Sequence, residues 1–160
     1  MATQYEPGIY KTTKYLPGHE AEVGPEQLIL IRTDGEFAPA SVLLPVRNEH
    51  NQWHFRMPGI KIPPTSLNWR DTLQTLPREG FYRLTREFRF GDGGVWPENS
   101  LVQLGYNQRA EPILFIAQRR TPLVSNDLHF SDKGVKVDLE QTEELVAPLF
   151  CYQEPAKQQS

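Results

Sequence analysis

The sequence contains one cysteine, Cys151, among 160 residues, and it has no long apolar run. A single thiol can form neither an internal disulfide nor a thiolate zinc cluster, which fits a reducing compartment. Met1 to Gly8 lack an apolar segment and a basic flank, so no signal peptide is predicted. The longest apolar stretches, Leu28–Ile31 and Ile113–Ala117, are too short to cross a bilayer. We expect a cytoplasmic protein with no membrane partner.

A strong charge of one sign is also missing. The chain carries 17 basic and 20 acidic side chains, a net charge of -3. Residues 7–78 contain 8 basic and 7 acidic side chains, and residues 79–150 contain 8 and 11. The one local basic cluster is Arg109, Arg119 and Arg120, and Tyr106 could provide a stacking surface beside it. The overall charge argues against this reading, so no nucleic-acid partner is expected.

What the sequence does contain is a repeat at a spacing of about 72 residues. A repeat of this kind predicts two related halves that face each other, with any binding site between them. Each half is only marginally large enough to fold alone, so the halves are expected to share an interface. The matching segments are 8–14 with 80–86, 25–26 with 97–98, 28–31 with 101–104, 54–55 with 129–130, and 59–62 with 134–137.

Many short strands are predicted within each half. The 14 prolines and 11 glycines separate short segments rich in branched and aromatic residues. Helix signals are few: Asp138 with Gln141 forms a possible capping box, and Ser66 precedes apolar residues at helical spacing. The predicted strands are Gln27–Arg32, Ser41–Val46, Trp53–Arg56, Gly80–Arg86, Leu101–Tyr106 and Ile113–Arg119.

The predicted fold class is therefore mainly β and internally duplicated. Short strands in units of this size favour two small barrels of the SH3-like kind, each closed by a short helix, and one double sandwich is the alternative. Residues 1–78 would form the first repeat with its connector helix. Residues 79–152 would form the second repeat with a C-terminal helix, and residues 153–160 a disordered tail.

Motifs for catalysis are missing from the sequence. It contains no Gly-x-Ser-x-Gly elbow, and the glycine-rich loop Gly91–Trp96 lacks the Lys and Ser or Thr of a phosphate loop. That loop is either a binding loop or a simple hairpin end. We expect a non-enzymatic protein rather than an enzyme, and we predict no catalytic residue, no cofactor and no metal site.

Candidate binding residues come from the repeat. His54 and His129 recur with a following Phe, so the pseudo-twofold axis could bring the two imidazoles together, or each could satisfy a buried polar spot. Glu26 and Glu98 recur after proline, either as a facing pair or as turn residues. The other candidates are Trp53, Arg56 and Trp96, of which the tryptophans could instead be core anchors.

We expect a non-enzymatic protein-binding or assembly module whose partner is another protein. Small β units present grooves and strand edges that accept peptides. The alternative is a small-ligand or metal-binding protein, or an enzyme, with its site between the two repeats. The sequence leaves the oligomeric state open.

Overall fold

A computed structural model describes residues 5–35, 38–119 and 128–149 of the chain. These residues form a mainly β protein with fifteen strands, one 3₁₀ helix and one α-helix. Arg120, Cys151 and the predicted tail 153–160 lie outside the described residues. Neither described helix is long and apolar enough to cross a membrane.

The first sheet contains five strands from residues 8–75, in the order β6-β3-β2-β1-β7. A separate two-stranded hairpin, β4–β5, extends between β3 and β6. The elements are β1 (Gly8–Lys11), β2 (Leu28–Arg32), β3 (Ser41–Leu43), β4 (Pro45–Glu49), β5 (Gln52–Phe55), β6 (Ile60–Lys61), the 3₁₀ helix Pro64–Thr72, and β7 (Gln74–Thr75).

The second sheet uses residues 80–148 in the order β13-β12-β11-β8-β15, with β14 also paired to β12. Strands β9 and β10 form a separate hairpin between β8 and β11. The elements are β8 (Gly80–Leu84), β9 (Phe88–Phe90), β10 (Gly94–Trp96), β11 (Leu101–Tyr106), β12 (Pro112–Arg119), β13 (Leu128–Phe130), β14 (Val135–Lys136), α1 (Leu139–Leu145) and β15 (Val146–Pro148).

Five strands of the second sheet follow the same order as the five strands of the first, and one strand pair has a corresponding register. Strands β14-β12-β11-β8-β15 correspond in order to β6-β3-β2-β1-β7, and β13 has no counterpart in the first sheet. Gly8 lies opposite Ile31, and Gly80, 72 residues later, lies opposite Leu104. Each half also places a short helix immediately before its last strand.

Glu26 and Asn99 have corresponding backbone environments. The backbone N–H of Glu26 donates to the carbonyl of Thr12, and the N–H of Asn99 donates to the carbonyl of Leu84, 72 residues after Thr12. Glu26 and Asn99 also have left-handed φ values of 60° and 66°. This correspondence lies one residue from the pairing of Glu26 with Glu98 in the sequence repeat.

Gly59 and Gly134 lie immediately before β6 and β14, and close packing explains why both matching segments, 59–62 and 134–137, begin with glycine. A Cβ at Gly134 would clash with Ile113 and would lie 2.7 Å from Phe115, and one at Gly59 would lie 2.8 Å from Leu43. Real Cβ atoms do not approach other atoms so closely. Glycine therefore lets the chain pass close to β3 and β12 at equivalent places in the two halves.

Part of the predicted fold differs from the structure. Within the described ranges, no sheet closes into a barrel, so the SH3-like barrel is not confirmed. The expected strand 41–46 is divided into β3 and β4 at Leu44. The helix expected after Ser66 is a 3₁₀ helix that begins at Pro64 and has non-helical backbone angles at Ser66. Asp138 lies at the N-cap of α1, but its side chain makes no capping hydrogen bond.

Two apolar clusters form the core. The first contains residues of the first half only, including the buried Leu16, Ile29, Val42 and Trp69. The second cluster is built around strands of the second half, but residues of the first half complete it. Its first-half members are Leu28 and Leu76, both buried, with Ile9, Trp53 and Phe55 packed against it. The second core therefore depends on the first half.

Candidate functional site

The β4–β5 hairpin carries part of the first half to the second sheet. Glu49 pairs with Gln52, so its turn consists of His50 and Asn51 alone. Both turn residues have positive φ values, 51° and 64°. Two successive residues of this kind form the type I′ turn, whose twist matches that of the flanking strands. Asn and His are both enriched in this conformation among the residues other than glycine.

Gln103 on β11 fixes the tip of this hairpin. The Nδ2 of Asn51 donates to Oε1 of Gln103 at 3.0 Å. The Nε2 of Gln103 donates to the carbonyl oxygen of His50 at 2.8 Å. Gln103 is 9% exposed, so both ends of a buried amide are satisfied by one turn. The neighbouring Gly105 allows the close approach, because a Cβ there would lie 3.1 Å from the carbonyl oxygen of Asn51.

Trp53 anchors the other end of the hairpin to the second half. Its indole Nε1 donates to the carbonyl oxygen of Tyr106 at 2.6 Å. Its backbone N–H donates to Oε2 of Glu79 at 3.2 Å. The hydroxyl of Tyr106 in turn donates to the carbonyl oxygen of Pro77 at 2.7 Å. Burial is the main cause that raises the pKa of Tyr106 far above its ordinary value, so the phenol remains a neutral donor.

A cavity of about 550 Å³, called the junction cavity below, lies where the β4–β5 hairpin of the first half meets the second half. The first half contributes residues of the β4–β5 hairpin, including Asn48 and His50. The second half contributes one residue each from β8 and β11 and a run from β13 into the following turn. These second-half residues are Phe81, Gln103, His129, Phe130, Ser131 and Asp132. The two imidazoles of the lining, those of His50 and His129, therefore come from different halves of the chain.

An aromatic pair forms the apolar part of the lining. The rings of Phe81 and Phe130 are stacked, with centroids 5.2 Å apart and an angle of 24° between their planes. Phe81 is 54% exposed, so one face of the pair is open to the cavity and to solvent. The equivalent residue of the first half, Ile9, packs instead against the second core. The aromatic pair is thus a feature of one half only.

The polar part of the lining includes His129, Ser131 and Asp132. The Nδ1 of His129 is buried and has no hydrogen-bond partner among the described residues. The Oγ of Ser131 accepts the backbone N–H of Lys133 at 3.2 Å. Asp132 is exposed, and no ion pair joins its carboxylate to a cation in the described part of the chain. The described residues contain no group of three His, Cys, Asp or Glu that could hold a metal ion.

The structure places His50, and not His54, in the cavity with His129. Alternate residues of a strand face opposite sides, so Trp53 points to the core and its neighbour His54 to solvent. The side chain of His54 is 50% exposed, and its Nε2 lies 3.2 Å from Oε2 of Glu49 on the same hairpin. The two repeated histidines therefore do not line one cavity.

The other predicted binding residues lie away from this cavity. Arg56 is exposed, and its backbone N–H donates to the carbonyl of Leu44 at 2.8 Å. Glu26 lies 3.5 Å from Lys11 and 3.7 Å from Arg109, so it forms ion pairs within and between the halves. It lines a smaller cavity of about 330 Å³.

Glu98 and Trp96 also lie outside the junction cavity. Glu98 is exposed in the turn before β11. Trp96 is 8% exposed, and its ring centroid lies 4.7 Å from that of Phe90 and 5.7 Å from that of Phe88. This environment is that of a core anchor in the β9–β10 hairpin, the alternative that the sequence left open for the tryptophans.

Several residues of the site were missed from the sequence, although two signals were present. Gln103 is a single amide within the otherwise apolar strand Leu101–Tyr106, which marks a buried polar contact. Phe81 replaces the aliphatic Ile9 at the equivalent place of the repeat. The sequence around His50 and Asn51 indicates only a turn. Their hydrogen bonds to Gln103 join residues that are 53 and 52 positions apart, so no local pattern predicts them.

Comparison with protein-family models, with curated proteins and with solved structures gives no match for this chain. Function is therefore inferred from the geometry of the junction cavity.

Proposed function

We propose that this protein is a non-enzymatic binding module that holds a short segment of a partner protein in the junction cavity. The observation that carries the proposal is the half-exposed Phe81–Phe130 pair in a cavity built from both halves. Partner segments commonly insert one apolar or aromatic anchor into such a pocket, and the volume of about 550 Å³ suits it.

The strand beside the cavity supports a peptide as the ligand. Strand β13, which contributes His129 and Phe130, lies at the end of the second sheet. Within the described residues it pairs with β12 alone, so its outer backbone groups have no strand partner. An extended peptide can add to an edge of this kind while one side chain enters the neighbouring pocket.

We also infer that the two halves arose by internal duplication, and that each half is an open variant of an SH3-like barrel. The common strand order supports this, as does the common register of β1–β2 and β8–β11. A cytoplasmic location is proposed from the single cysteine. Duplication would explain why the site lies between the halves, since each half supplies one wall.

The proposal is tested by selecting peptides from a random library displayed on phage against the immobilised protein. Affinities of the selected peptides are then measured by isothermal titration calorimetry. Phe81→Ala should weaken binding by about tenfold or more, the loss typical of an anchor contact. Tyr15→Ala is the matched control, because Tyr15 is another aromatic residue, 57% exposed, that does not line the cavity. Peptides that bind both variants as tightly as the wild type would contradict the proposal.

A small-molecule ligand is the second candidate. The cavity volume and the unpartnered Nδ1 of His129 favour it, because buried polar groups usually have a partner. Native mass spectrometry of the freshly purified protein distinguishes the two functions. A retained small molecule that disappears in Phe81→Ala but not in Tyr15→Ala would favour the second candidate.

A further inference from the structure

We propose that the junction cavity selects an arginine side chain of the bound segment. This inference rests on the proposed function, and it names the chemical group that the cavity recognises. It depends on three features of the lining: an exposed carboxylate without an ion-pair partner in the described part of the chain, a stacked aromatic pair, and further oxygen acceptors beside them.

The charge of the lining favours a cation. Asp132 is the one acidic residue among the described lining, and that lining contains neither Lys nor Arg. Its carboxylate makes no ion pair within 4.0 Å in the described ranges, so it is free to bind a cation from outside. The half of the chain from residue 79 to 150 also has three more acidic than basic side chains. A cationic group would thus approach a surface of opposite charge.

The aromatic pair favours a flat cation. Phe81 and Phe130 are close to parallel, at 24°, and more than half of the surface of Phe81 is exposed. A guanidinium is planar, is less strongly hydrated than an ammonium, and stacks on aromatic faces. Lysine could satisfy the charge of Asp132 but would gain less from the rings. Arginine is therefore preferred to lysine.

The remaining acceptors suit the donors of a guanidinium. Arginine has five N–H donors and no acceptor, so each donor that is removed from water needs an oxygen or nitrogen lone pair. The carboxylate of Asp132, the hydroxyl of Ser131 and the side-chain oxygen of Asn48 all belong to the lining. An apolar side chain would leave these acceptors without a donor, whereas a guanidinium can donate to several of them.

The test compares one selected peptide in three forms: with arginine at the position that enters the cavity, with lysine, and with citrulline. Citrulline keeps the shape of arginine and removes its charge. We expect citrulline to weaken binding by about tenfold and lysine by less, as measured by calorimetry. Asp132→Asn should weaken the arginine peptide by about fivefold and leave the citrulline peptide unchanged. Asp92→Asn, at an exposed carboxylate outside the cavity, is the matched control.

The outcomes separate this inference from the function on which it rests. Peptides that lose affinity in Phe81→Ala but contain no arginine, or that bind equally well with citrulline, would refute the arginine inference and keep the binding function. An arginine peptide insensitive to Asp132→Asn would refute it as well. Peptides that are insensitive to Phe81→Ala would refute both. Weaker binding of the citrulline peptide, together with weaker binding of the arginine peptide to Asp132→Asn, would support the arginine inference and the binding function.

Discussion

At the scale of single residues, Glu79 places a partly buried carboxyl beside Trp53. Its Oε2 accepts the backbone N–H of Trp53, whereas its Oε1 is buried without a hydrogen-bond partner among the described residues. Burial is the main cause that raises the pKa of the Glu79 carboxyl above its ordinary value of 4.5, and the bond from Trp53 opposes it. The folded protein therefore binds this proton more tightly than the unfolded chain does.

The sign of the resulting pH dependence follows from linkage. The stabilising contribution of the protonated carboxyl is fully present below the unfolded pKa, and it is lost as the pH rises through the raised folded pKa. Glu79→Gln removes the charge while its carbonyl can still accept from Trp53. We expect this variant to be more stable than the wild type at neutral pH by up to about 1 kcal/mol, since the group is only half-buried. Urea denaturation across the acidic to neutral range measures the effect.

The control for Glu79→Gln is a substitution at an exposed carboxylate. Glu98→Gln removes an exposed carboxylate and should leave the free energy of unfolding close to that of the wild type at neutral pH. If Glu79→Gln were less stable than the wild type at neutral pH, the buried carboxylate would be paired and stabilising, contrary to the argument.

At the scale of elements, the β4–β5 hairpin connects the halves through its turn. The turn residue Asn51 has a φ of 64° and donates to the side chain of Gln103. Asn51→Ala should destabilise the protein by about 2 kcal/mol, because alanine is disfavoured in the left-handed region and Gln103 loses a donor. Asn51→Gly keeps the backbone conformation and should lose only about 1 kcal/mol.

Chemical denaturation of the two variants separates the backbone effect from the hydrogen bond. Asn48→Ala is the control, since Asn48 is exposed on β4 of the same hairpin. Equal stabilities for Asn51→Ala and Asn51→Gly would show that the left-handed conformation costs nothing at this turn.

Some elements could be predicted from the sequence and others could not. The sequence predicts Leu101–Tyr106 with the bounds that the structure has, because turn-forming Pro, Asn and Ser residues surround a mostly apolar run. The division of 41–46 into β3 and β4 was not predictable, because local propensity is unchanged across Leu44. The helix after Ser66 became a 3₁₀ helix: Pro64 begins it, and Ser66 and Asn68 favour turns over a regular α-helix.

At the scale of the whole molecule, the two halves are not independent. Leu28 and Leu76 are buried in the second core, and Trp53 donates across the junction to Tyr106. Residues 79–160 alone would lose these contacts from a unit that is already small. We expect this fragment to show no cooperative thermal unfolding by near-ultraviolet circular dichroism, whereas the full chain does. A fragment that melts cooperatively near the temperature of the full chain would refute the prediction.

The sequence by itself determined the mainly β character, and it led to the expectation of two related halves with a site between them. The first was possible because strand propensity and turn chemistry are local properties. Only the tertiary structure decided which residues meet there. His54 faces solvent while His50 shares a cavity with His129, since strand alternation and the direction of one hairpin select between residues four positions apart. Contacts such as Asn51 with Gln103 arise from how the halves pack, and no local pattern specifies that packing.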